Sequence, residues 1–164
     1  MNSNTMDKYL EDIQNLIFES DRNKIELVKF DTLYHGTTLS KANKIIESGF
    51  DIKKSGEKTG SASHNKGISF TYLKSEAKDH AKWASKKFKD SPAIINIDSK
   101  NLKILSGAAF NALAKTTKEC IEKSYQMFKS GAIDAVSFCD QESGDGCEEM
   151  EVLVFSLDKL HPTL

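Results

Sequence analysis

Residues 33–50, LYHGTTLSKANKIIESGF, decide how this chain is to be read. A short apolar run ends at His35-Gly36-Thr37. Leu39, Ala42, Ile46 and Phe50 then mark a helix, with Gly49 placed as its left-handed stop. A buried strand therefore hands over to a helix through a His-Gly-Thr turn. A histidine at that junction is either a packed turn residue or a contact for a ligand, and the rest of the chain has to decide between them.

Upstream, Met6, Tyr9, Leu10, Ile13, Leu16 and Ile17 recur at helical spacing, with Ser3 to Thr5 available as a cap. This predicts an amphipathic helical appendage over residues 1–24. Residues 25–34 are rich in β-formers and are expected to end in a strand. Downstream, residues 51–66 hold Gly, Ser and Lys without an apolar period and read as a long exposed loop, a type that is more often functional than accidental. GISFTYL returns to strand character. Ser75 can cap a helix that buries Ala77, Ala81, Ala84 and Phe88, with Trp83 beside that face. AIINID is a strand, Thr116 to Lys129 a helix stopped by Gly131, and AIDAVSF and MEVLVFSL are the last strands. Residues 140–149 between those two strands form an acidic, glycine-broken loop. Strands and helices do not alternate regularly enough for a doubly wound parallel sheet. The expected fold is a single α+β domain on a mainly antiparallel sheet, with its core over residues 31–162.

Composition narrows the function. With 164 residues the chain can bury a real core, and a net charge of −1 supplies no global field toward nucleic acid or an anionic membrane. Arg22 is the only arginine among 23 basic residues, which argues against a dedicated nucleic-acid reader. Cys120, Cys139 and Cys147 have no CxxC spacing, so free thiols are expected rather than a disulfide frame or a metal site. No apolar run approaches the ~18 residues of a membrane span, and the N-terminus MNSNTMDKYLED is not a secretory signal. The expected location is cytoplasmic, with export to a host cytosol by a route without a cleaved signal left open.

The common phosphate motifs are absent. Gly56, Gly60 and Gly67 do not make GxGxxG, and the Lys-Thr pair of SGEKTG follows Glu57 where a P-loop needs glycine. The loop at 140–149 lacks EF-hand spacing, and no GxSxG elbow occurs. What remains are three pieces in a fixed order: YHGT at 34–37, GISFT at 67–71 and EMEVLVF at 149–155. Each lies on or beside a strand end and carries a polar residue where the pattern otherwise buries side chains.

Together, the three pieces resemble the ADP-ribosyltransferase superfamily, over roughly residues 31 to 162. The resemblance implies two small, mainly antiparallel sheets flanking a cleft that takes NAD as substrate, without a metal. It gives His35 a hydrogen bond to the ribose, the main chain of Gly36 a contact with the nicotinamide carboxamide, and Thr37 support of the turn. It gives Glu151 the contact with the nicotinamide-ribose 2′-hydroxyl, and makes residues 53–66 a loop over the dinucleotide. The segment 140–149 becomes the loop that presents the acceptor.

The chain departs from the family's branches. Where the His-Tyr-Glu branch has a tyrosine that stacks on nicotinamide, this sequence has Ser69. Ser69-Phe70-Thr71 matches instead the Ser-x-Ser/Thr of the Arg-Ser-Glu branch, whose paired acids match Glu149 and Glu151, while His35 stands where that branch has arginine. Tyr72 and His80 are the candidates for a stacking partner. The implied activity is mono-ADP-ribosylation of a macromolecular acceptor, expected to be a protein, by a monomeric enzyme of bacterial-effector or toxin-like size. An NAD glycohydrolase, an RNA 2′-phosphotransferase and an inactive NAD-binding module are the competing expectations.

Overall fold

A computed structural model describes residues 25–54, 66–139 and 150–164 of the chain. The first helix predicted from the sequence, most of the loop at 51–66 and all of the loop at 140–149, Glu149 included, lie outside the described residues.

The strands are β1 (Leu27–Val28), β2 (Thr32–Thr38), β3 (Ile68–Thr71), β4 (Pro92–Asp98), β5 (Ile104–Leu105), β6 (Ala135–Cys139), β7 (Met150–Val154) and β8 (Pro162–Thr163). The helices are α1 (Leu39–Ser48), α2 (Lys74–Phe88), α3 (Gly107–Asn111) and α4 (Thr117–Lys129). Among the described residues all eight strands join one curled mixed sheet in the order β1-β5-β6-β7-β3-β2-β4-β8. Among the described pairings only β5 with β6 is parallel. The protein is therefore α+β on a mainly antiparallel sheet.

Two separate sheets are not what forms. The single sheet is instead pinched between β2 and β3, which pair only at Tyr34 opposite Thr71. On either side of that pinch the pairing is continuous, with seven residue pairs between β2 and β4 and four between β3 and β7.

Side chains alternate across the pleat, and directly opposed residues share a face. Leu33, Phe70, Ile95, Val152 and Val154 project into one core, joined by Ala42 of α1. Val136, Phe138 and Leu153 project into a second core on the other face, covered by Phe110 of α3 and Ile121 of α4. Burying a cluster on each face explains why β6 and β7 read as near-continuous apolar runs rather than alternating ones.

Several local expectations change. α1 stops before Gly49 as read from the sequence, but that glycine has φ of 80° with ψ of 176°, outside the left-handed helical conformation expected of it. α2 begins at Lys74, not after a Ser75 cap. Thr71, three positions earlier, instead accepts the Leu73 N–H at 3.0 Å and donates to Glu76 Oε2 at 2.6 Å. Trp83 does not pack beside the buried face; it is 59% exposed. The two-residue strands β1, β5 and β8 and the short helix α3 carry too few residues for any period to register.

A notch between strands gathers the candidate site

Because β2 and β3 pair at one position only, Gly36 to Thr38 have no β3 residue opposite them in the strand pairing. His35 spans the notch. Its Nδ1 lies 3.0 Å from the Ser69 carbonyl, so it replaces with a side chain the ladder contact that the strands give up. A carbonyl only accepts, so the proton is on Nδ1 and the neutral ring presents Nε2 as an acceptor.

The ring of His35 meets Phe50 and Phe70 edge-on, with centroids 5.8 and 5.7 Å away. Phe50 and Phe70 also meet each other edge-on at 5.3 Å. Burial among these rings pushes the His35 pKa down. The Ser69 carbonyl offsets part of that, and the charges of His80 and Lys41 lower it further. His35 is therefore neutral near pH 7.

Ser69 also carries the second half of the site. Its hydroxyl donates to Glu151 Oε1. Strand geometry explains the approach: Ser69 opposes Leu153 and Thr71 opposes Glu151, so Ser69 and Glu151 are diagonal neighbours on one face. Glu151 is half-buried. By parity His35 belongs to the opposite face with Leu33, and the notch is what lets both side chains reach the same serine.

The other residues singled out from sequence fall in different places. Phe70 is 3% exposed, so it supports the His35 ring from the core and does not offer a surface to a ligand. Thr37 is buried. Tyr72 stacks on Phe30 with centroids 4.9 Å apart and planes 12° from parallel, beside a shallow depression that Lys29 and Tyr34 also line. His80 is exposed on α2.

Gly36 is required for a reason the sequence did not disclose. A Cβ there would lie 2.0 Å from the Ala77 carbonyl oxygen and 2.8 Å from Ala81 N, so α2 rests directly on the β2 backbone. The small residues Ala77 and Ala81 on the buried stripe of α2 complete that contact.

Two groups matter that sequence reading passed over: Phe50, which closes the aromatic surround of His35, and Glu76, held by Thr71 next to Glu151. Glu76 follows Thr71 by five residues across a strand-to-helix turn, and no motif marks that spacing. Among the described residues no three His, Cys, Asp or Glu side chains converge as a metal site would need, and no helix is long and apolar enough to cross a membrane. No family model, curated protein or solved structure matches the chain.

Proposed function

We propose that the protein cleaves NAD at the nicotinamide–ribose bond and transfers ADP-ribose to a macromolecular acceptor, a protein side chain by preference. The observation that carries the reading is the link through Ser69, which puts an acceptor nitrogen on His35 and a carboxylate on Glu151 around one notch.

The chemistry needs few groups. The electron pair of the breaking bond leaves with the pyridine nitrogen, so nicotinamide departs neutral and requires no acid. Positive charge develops on the ribose ring, and a fixed carboxylate beside it stabilises the transition state more than the ground state. Glu151 has that role. The neutral Nε2 of His35 accepts a hydrogen bond from a ribose hydroxyl. The Gly36 main chain, on the edge of β2 that β3 leaves unpaired, is the group for the carboxamide. The acceptor attacks the anomeric carbon as the bond to nicotinamide breaks, and its proton passes to the Glu149 carboxylate and from there to solvent. The acceptor-side role of Glu149 rests on its spacing two residues before Glu151.

The test is incubation of purified protein with NAD labelled in the ADP-ribose half and a cell lysate, scoring free nicotinamide and labelled macromolecules separately. Both signals are expected, and both should fall about 10²-fold or more in Glu151→Gln. Nicotinamide without label makes the protein a glycohydrolase. Neither signal, or full activity in Glu151→Gln, overturns the proposal.

A further inference from the structure

Glu76, His80, Trp83 and Lys87 are spaced so that they share one stripe along α2. The stripe has a chemical direction. At its first end Glu76 is held by Thr71, the residue directly opposite Glu151. At its last end, about 16 Å along the axis at 1.5 Å per residue, cations and rings alternate. Lys87 Nζ lies 4.5 Å from the Trp83 ring and 5.7 Å from the Phe88 ring, and Lys41 Nζ of α1 lies 3.5 Å above the same Phe88. Trp83 leaves 59% of its surface open, an unusual exposure for a side chain of that size. The α1 N-terminus is already occupied there, since Asp90 accepts the Ser40 N–H at 3.1 Å. The positive charge at this end is therefore carried by lysine side chains.

We propose that Trp83, Lys87 and Lys41 form a subsite for a nucleoside diphosphate, with the base on the indole face and the phosphates on the two ammonium groups. The proposal rests on the reading of NAD as substrate, and it fixes which way the dinucleotide lies. The ADP half follows α2 toward its C-terminal end, and the cationic nicotinamide riboside lies at the end that holds Glu76 and Glu151. The polarity of the wall matches the polarity of the ligand. Indole stacking contributes through a large π-face, and lysine serves phosphate as a point charge. Of these groups, Lys41 is close enough to the notch for its charge to help lower the His35 pKa.

Trp83 is the only tryptophan of the chain, so its fluorescence reports on this subsite alone. ADP titrated into the purified protein should quench it saturably, with adenosine at least about tenfold weaker and with Lys87→Ala and Lys41→Ala each weakening ADP several-fold. Trp83→Ala should raise the KM for NAD several-fold while kcat and the thermal midpoint stay as they are. Absence of quenching at millimolar ADP, or equal quenching by adenosine, overturns the subsite. The two proposals fail separately. ADP binding without nicotinamide release leaves the subsite standing and removes NAD cleavage. Nicotinamide release with an unchanged KM in Trp83→Ala leaves cleavage standing and removes the subsite.

Discussion

Ser69 donates its hydroxyl hydrogen to Glu151 on the neighbouring strand while its carbonyl oxygen receives the His35 Nδ1–H from across the notch. One residue thus fixes two side chains that strand parity alone would send to opposite faces of the sheet. The two contacts use different atoms, so they can be removed one at a time.

Ser69→Ala deletes the hydroxyl and keeps the carbonyl. Glu151 then loses the hydrogen bond from that hydroxyl, and a misplaced catalytic group can cost up to about 10² in rate. Nicotinamide release should fall by one to two orders of magnitude, with NAD affinity nearly unchanged and the His35 titration followed by NMR where it was. A rate within twofold of the parent would mean that Ser69 does not position the carboxylate.

The pH dependence follows from His35. Burial holds its folded-state pKa below the ordinary value of 6.5, so folding favours the neutral ring. Stability from this group is complete above about pH 6.5 and is lost as pH falls toward the lowered folded value. NAD binding should weaken through the same lower window, because a protonated ring can no longer accept through Nε2. Calorimetry of NAD binding from pH 7.5 to 5 checks this, and His35→Ala should abolish the pH step as well as weaken binding. A step that persists in that variant would belong to another group.

Gly36→Ala tests the contact of α2 on the sheet. The added methyl meets backbone atoms, which cannot rotate away, so the destabilisation should reach the top of the usual ~1–3 kcal/mol for overpacking or exceed it. Denaturant unfolding measures it. An unchanged midpoint would show that α2 does not sit so close to β2.

Asp134 anchors the chain just before β6, outside the link between His35, Ser69 and Glu151. It is buried, and its carboxylate accepts the Lys103 N–H at 2.8 Å, the Ser156 hydroxyl at 2.8 Å and Lys159 Nζ at 2.7 Å. Burial alone would raise its pKa. The bonds from Lys103, Lys159 and Ser156 together with the Lys159 charge outweigh it, and the group stays below the ordinary 3.8. Its stabilisation is therefore complete above that value and lost as pH falls through the lowered folded pKa. Asp134→Ala should cost about 1.5–3 kcal/mol near neutrality without changing the ratio of transfer to nicotinamide release. The difference in stability from the parent should shrink below pH 4. A constant difference down to pH 2 would contradict the assignment.

Much of the fold was legible because it rests on local periods. The α1 stripe up to Gly49, the Ala77–Ala81–Ala84 face of α2 and the apolar runs of β6 and β7 are set by residues close in sequence. The resemblance carried by YHGT, GISFT and EMEVLVF points to His35, Ser69 and Glu151, and the fold brings these three together. Tertiary structure decided what no period encodes. Whether β2 and β3 pair fully or part at Tyr34 depends on contacts between distant segments, and that parting is what lets His35 reach Ser69. The sequence marked Gly36 for its main chain, but the place its side chain would take is filled by a helix some forty residues away. Helical phase alone put Trp83 beside the buried face of α2, yet in the fold no neighbouring element covers most of its surface. Periodicity fixes which side chains share a face. Only packing between elements determines what each face meets.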